Sequence, residues 1–386
     1  MTGGGGGAEY QVGVLDAIRQ ILDDRHALPA QSPFGVISGT SAGAINAATF
    51  ACRGAAFEQS VDRLVEVWSE FHADQVYRTD AIDALRSGGG VMTMLSAGWA
   101  FRRSRHSSVR SLFDNSPLEG LLQQLLDFPR LDRALDSGPL SALAITASDY
   151  SSGRHVTFYQ SREAISPWAR SQRMAVREPI GVDHLMASSA IPFLFPAIPL
   201  PLEGNRAWFG DGSMRQLAPL SPAIHLGAKR ILVIGAGQLN SHDRFLPVAA
   251  TAGIGAYPSI AQIAGHAMSS IFLDSLSMDI ERLERINKTV DLIAPDVRAS
   301  ASLRKIEVLV IAPSQRVDVI AARHIHDLPR SVRVLLRAIG ATEAKGSALA
   351  SYLLFEPGFT RELMQLGFDD TLAQRDEVGR FFGLDG

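Results

Sequence analysis

The stretch Phe34–Cys52, FGVISGTSAGAINAATFAC, decides how the rest of the chain is read. Phe34 to Ile37 is a short apolar run suited to a buried strand. Ala42 to Cys52 is rich in alanine, the strongest helix former. Between them stand Gly39-Thr40-Ser41-Ala42-Gly43. The pattern predicts a strand that turns sharply into a helix, with a serine at the turn. G-x-S-x-G in that setting marks a nucleophile elbow, where strained backbone projects the hydroxyl from the sheet edge. Gly39 and Gly43 keep side chains out of the turn. The helix N-terminus favours negative charge developing beside Ser41.

A serine hydroxyl is a weak nucleophile and needs a base. In α/β-hydrolases the chain order is serine, acid, histidine. Here the serine follows so little chain that the strands supplying that fold's oxyanion hole have no room. His225, His242, His266, His324 and His326 lie downstream, none in a recognisable loop motif. An aspartate is the better candidate. AWFGDGSMRQLAPLSPAI sets Asp211 between Gly210 and Gly212, so the backbone there can approach another loop closely. Just before it runs ASSAIPFLFPAIPL, an apolar, proline-stiffened stretch suited to lining an acyl pocket.

Upstream, the chain opens MTGGGGGAEY. Val12, Leu15, Ile18 and Leu22 recur at helical spacing, so Tyr10 to Asp24 reads as an amphipathic helix. The glycines Gly3 to Gly7 lead straight into it. A glycine-rich turn at a helix start aims several bare N–H groups at one point. An acyl-transfer serine needs such donors for its oxyanion. The stretch is therefore read as an oxyanion loop, with a tag-like end as the alternative on composition alone. A dinucleotide fingerprint would need glycine at position 8, which is Ala8.

The 386 residues are 46% hydrophobic, enough for one large or two ordinary domains. A net charge of −3 lacks the basic excess expected of a nucleic-acid binder. A single cysteine, Cys52, makes no disulfide framework and no zinc cluster. No signal-peptide pattern and no spanning apolar run are seen. Ser60 to Phe71 reads as a helix. Leu140–Tyr150 and His155–Gln160 read as strands joined at Ser152-Gly153. Ile231–Gly237 and Ile306–Pro313 read as central parallel strands. Ile260–Ile286 reads as a long helix with Ser259 as N-cap, and Ser331–Gly386 as mostly helical. Strands alternating with helices give a layered α/β fold. Ser87–Ser116 reads as an excursion over one face, a candidate lid. Its Trp99, Phe101 and the basic cluster from Arg102 to Arg110 suit contact with an anionic lipid surface.

Taken together, GGGGGAEYQVGVLDAI, VISGTSAGAINA, ASSAIPFLFPAI and FGDGSMRQLAPLSPAIHLGAKRILVI resemble the bacterial patatin-like phospholipase family, in the family's order, across residues 2 to 240. The resemblance implies a three-layer α/β/α fold with a mainly parallel central sheet. Residues 1–240 would be the catalytic domain, with the family's N-terminal strand missing. Residues 241–386 would be a mainly helical extension packed on it. It implies a Ser-Asp dyad without histidine: Ser41 as nucleophile and Asp211 as base. Gly3, Gly4, Gly5 and Gly6 fall on the oxyanion loop, Gly39 and Gly43 on the elbow, and Gly212 on the base motif. The implied reaction is hydrolysis of lipid or phospholipid acyl esters through an acyl-serine. It needs no metal or organic cofactor, and the implied location is cytoplasmic and peripheral at a membrane. The chain departs from the pattern at Gly7, which holds a usually basic position. It also departs at Ala8, in place of a final glycine, at Glu9, and at Ser213 after Asp211-Gly212. A lipid-binding or regulatory relative without turnover is the alternative these departures raise. Acyl transfer to an acceptor other than water is a further one.

Overall fold

The computed structural model describes residues 1, 7–53, 56–78, 111–136, 138–214, 216–235, 237, 260–294, 297, 303–338 and 347–384; for 260–274 and 347 it describes the backbone alone. Helix α1 spans Gly7–Asp24, so it begins three residues before the expected start and takes in the last of the glycines. Its second half is amphipathic as expected, with Gln20, Asp23 and Asp24 exposed and Ile18, Ile21 and Leu22 buried; its first half is not. Every residue from Gly7 to Leu15 is buried.

Strand β1 is Val36–Thr40, shifted toward the serine from the apolar run that announced it. Helix α2 covers Ala42–Cys52, as the alanines predict, and α3 covers Phe57–Ser69. Helices α4 (Ser116–Leu125) and α5 (Phe128–Asp136) follow. Next comes the hairpin of β2 (Ala142–Asp149) and β3 (His155–Ser161), turned through Gly153 at φ 68°. The turn falls where Ser152-Gly153 placed it. Strands β4 (Ala169–Arg170) and β5 (Arg173–Arg177) lead to helix α6 (Val182–Ser188). Strands β6 (Ile198–Leu202) and β7 (Asn205–Asp211) then form a second hairpin that ends at the candidate base.

The large sheet runs β4-β5-β3-β2-β7-β6, with β1 also on β2. The expectation of a mainly parallel sheet is corrected here. Among the described strands, β1–β2 and β3–β5 pair parallel, whereas β2–β3, β2–β7, β4–β5 and β6–β7 pair antiparallel. The cause is local. Both hairpins close through short turns, and a short turn can join only antiparallel neighbours. The two apolar runs read as central parallel strands are β8 (Arg230–Ile234) and β9 (Glu307–Ile311). They do pair in parallel, but as a sheet of their own. Helix α7 (Ser221–His225) precedes β8. A cleft of about 620 Å³ lies between β1 and β8, with Gly35, Val36, Ile37 and Ser38 on one side and residues 229–234 on the other.

One face of β2 places Leu143 and Ile145 in the main core with α1, α2 and α3. Its other face sets Ala142 and Ala144 beside Tyr159, Trp168 and Leu226. Helix α8 (Ile260–Asp291) extends five residues beyond the expected end; its expected cap, Ser259, lies outside the described residues. The C-terminal part is helical in α9 (Val317–His324), α10 (Arg330–Ala338), α11 (Ser347–Ala350), α12 (Pro357–Ala373) and α13 (Arg375–Phe381). Helix α12 crosses α1 so closely that a Cβ on Gly13 would lie 1.8 Å from the Met364 carbonyl oxygen. That contact helps to explain why the first half of α1 is buried all round.

Candidate active site

Ser41 sits between β1 and α2 with φ 57° and ψ −134°. Such left-handed backbone in a non-glycine residue costs on the order of 1–3 kcal/mol and persists only where the surroundings impose it. Three hydrogen bonds impose it. The Ser41 N–H donates to Ser188 Oγ at 2.9 Å. Ser188 Oγ donates to the Thr146 carbonyl on β2 at 2.7 Å. The Ser41 carbonyl accepts the Ala44 N–H at 2.8 Å, opening α2. The end of α6 thus clamps the elbow to the sheet.

The glycines singled out in the sequence lie where close approach requires them. A Cβ on Gly39 would stand 2.4 Å from the Gly43 carbonyl oxygen, and one on Gly212 would stand 1.9 Å from that of Thr146. Gly43 packs against Met1, whose carbonyl accepts the Thr40 N–H at 3.2 Å.

Strand β7 delivers Asp211 beside Ala147 of β2, and this brings together two residues 170 positions apart. Ser41 Oγ donates to Asp211 Oδ2 at 2.5 Å. The other carboxyl oxygen, Oδ1, accepts the Ser213 N–H at 2.8 Å. The Asp211 backbone is tied down in turn, its N–H donating to the Ala190 carbonyl at 2.9 Å. Asp211 is fully buried and Ser41 is 5% exposed. Burial lifts the Asp211 carboxyl from its ordinary 3.8 to about 6, against hydrogen bonds from Ser41 and Ser213 that favour the ionised form. An acceptor with that affinity is ionised at neutral pH yet basic enough to take a proton from a hydroxyl in line with it.

An apolar cavity opens from Ser41. Its walls include Ile45 and Trp68, Leu118 and Leu122, and Ile191 and Phe195. The last two belong to the ASSAIPFLFPAIPL segment, which lines the pocket as its composition suggested. Of the histidines, His225 stacks on Trp168, and His324 bonds to Asp327 and Glu362. Among the described residues the hydrogen-bond partner of Ser41 Oγ is Asp211.

Gly3, Gly4, Gly5 and Gly6 lie outside the described residues, as do Trp99, Phe101 and Arg102 to Arg110. What is described is the anchor just after the glycines. Asn46 on α2 donates to the Ala8 carbonyl at 2.8 Å and to Gln11 Oε1 at 3.1 Å, and accepts the Trp68 indole N–H at 2.9 Å. Glu9 is buried beside it in sequence, its carboxyl pushed by desolvation from 4.5 to about 7. Sequence reasoning missed Ser188 and Asn46. The first was within a quoted segment read only for its apolar residues. The second is, with Thr49, one of two polar residues among the alanines of α2, a visible signal on a helix with so little else to hydrogen-bond.

No curated protein sequence matches the chain. Among solved structures, VipD from Legionella pneumophila is similar at 12% identity and a TM-score of 0.26, covering 97% of this chain and 66% of that one. The chain therefore spans just under two thirds of that protein's length. The patatin-like phospholipase family profile matches residues 1–224, more than half the chain. This chain belongs to the patatin-like phospholipase family.

Proposed function

We propose that the chain is a serine hydrolase of lipid or phospholipid acyl esters that works through a Ser41–Asp211 dyad. The observation that carries the reading is the 2.5 Å hydrogen bond from Ser41 Oγ to a buried carboxylate at the head of an apolar cavity. The cavity is about 50 Å³, so the first carbons of the acyl chain enter it, with the carbonyl carbon at Ser41 Oγ. Asp211 takes the hydroxyl proton as Oγ bonds to the carbonyl carbon. The carbonyl electron pair moves to oxygen, and backbone N–H groups of Gly3 to Gly6 receive the oxyanion. The tetrahedral species collapses, the ester C–O bond breaks, and the proton held by Asp211 passes to the departing alcohol. Water then repeats the sequence on the acyl-serine: Asp211 takes its proton, hydroxide adds, and the fatty acid leaves as Ser41 recovers its hydrogen. Residues 1–240 would carry this chemistry, with α12 and α13 of the part after residue 240 packed against α1.

Hydrolysis of a short-chain p-nitrophenyl ester tests the reading. Turnover that is lost in both Ser41→Ala and Asp211→Asn, with each variant folded, is the expected result. Turnover that survives either substitution overturns it.

A further inference from the structure

The cavity at Ser41 is walled almost entirely by carbon, so each hydroxyl on it calls for a partner. The Ser41 hydroxyl is committed to Asp211, and the Trp68 indole N–H to Asn46. Thr49 stands two turns along α2 from the elbow, about 12 Å away at 1.5 Å per residue. Ser189 remains. It lines the same cavity, is 8% exposed, and its Oγ is buried with no hydrogen-bond partner among the described residues. It also directly follows Ser188, whose hydroxyl receives the Ser41 N–H. Chain connectivity thus holds Ser189 at the reacting end of the cavity. A buried hydroxyl without a partner destabilises a fold, and native proteins keep few of them. One kept on the wall of a binding cavity is satisfied by what the cavity binds.

We propose that Ser189 Oγ is a second substrate-contacting hydroxyl, donating a hydrogen bond to the carbonyl oxygen of an acyl ester whose chain occupies this cavity. The inference rests on the hydrolase reading for the identity of the ligand. The requirement it adds is chemical: an alkyl chain with one acceptor at its head. The bond turns the carbonyl toward Ser41 and strengthens as negative charge grows on its oxygen. It discriminates an acyl ester from a plain hydrocarbon of the same length.

The test uses the full chain and two inert probes, 2-octanone and n-octane, in a Ser41→Ala background that prevents reaction. With Ser189 present, the ratio of ketone to alkane affinity should be roughly tenfold higher than without it, the scale of one net hydrogen bond. Ser189→Ala should remove that gain, Ser189→Thr should restore it, and neither should lower the melting temperature. A ketone-to-alkane ratio that is unchanged in Ser189→Ala overturns the proposal. So does failure of the folded, Ser189-containing protein to bind either probe. A melting temperature that drops in Ser189→Ala also overturns it, because the hydroxyl would then have a partner in the protein. With Ser41 intact, Ser189→Ala should lower kcat/KM for an ester by about tenfold to a hundredfold, more through kcat than KM. Phosphonylation of Ser41 by a fluorophosphonate reports separately on the hydrolase reading. If that labelling fails while the ketone preference depends on Ser189, the hydrolysis is wrong and the ligand contact stands.

Discussion

Asp211→Asn separates the two things that Asp211 does in this fold. Its carboxyl is fully buried, and desolvation holds its pKa at about 6 against 3.8 in an unfolded chain. Between those values the folded state binds the proton more tightly than the unfolded state. Stability therefore falls as pH rises through that window, and above pH 6 the full cost of a buried carboxylate is present. At about 1.4 kcal/mol per pKa unit, the rise from 3.8 to about 6 corresponds to roughly 3 kcal/mol. Asparagine is nearly isosteric. Its oxygen can still accept the Ser213 N–H, and its amide can face the Ser41 hydroxyl. At pH 8 the variant should be inactive yet more stable than the parent, by up to ~3 kcal/mol. The gain should vanish near pH 4, where the native carboxyl is protonated. Urea unfolding midpoints at the two pH values, with ester turnover measured in parallel, check the prediction. A variant that is less stable than the parent at pH 8, or a stability gain that does not change between pH 4 and pH 8, would refute the reasoning.

Further outcomes follow from the same geometry. If ionised Asp211 is the base, kcat/KM should rise with pH along a limb centred near 6, and a flat profile from pH 4.5 to 8 would contradict that assignment. Glu9→Gln should also stabilise the protein at pH 8 but not at pH 4, since burial raises the Glu9 carboxyl from 4.5 to about 7, again roughly 3 kcal/mol. A lower melting temperature for that variant at pH 8 would count against it. Ser188→Ala removes both the acceptor for the Ser41 N–H and the tie to the Thr146 carbonyl. It should cost about 1–3 kcal/mol of stability and lower kcat more than it raises KM, as steady-state kinetics and thermal melts would show.

Much of this site is readable from residue types alone, for reasons visible at particular positions. Gly39 and Gly212 are obligatory because carbonyl oxygens occupy the space a Cβ would take. Steric demands of that kind leave a mark in the sequence. Ser41 and Asp211 stand out because each is framed by such glycines. The hairpin at Gly153 is announced by its turn residues. Sheet polarity is different. Ile231–Ile234 and Val308–Ile311 are apolar because they are wholly or partly buried, and burial says nothing about which strand each pairs with or whether it joins the large sheet. The start of α1 was misplaced because its glycines look like loop. Gly7 nonetheless forms the buried first residue of α1, and α12, some 350 residues later, crosses the helix at Gly13 in near backbone contact. Ser188 and Asn46 act through hydrogen bonds to backbone atoms of distant elements. No local pattern encodes such partners.

The central claim is that Ser41 is a nucleophile activated by Asp211. Peptide mapping by mass spectrometry after exposure to a fluorophosphonate tests it most directly. The account predicts a single phosphonyl adduct on Ser41, formed at a rate that rises with pH through about 6 and is strongly reduced in folded Asp211→Asn. An adduct on a different residue, or Ser41 labelling at an undiminished rate in Asp211→Asn, would contradict it.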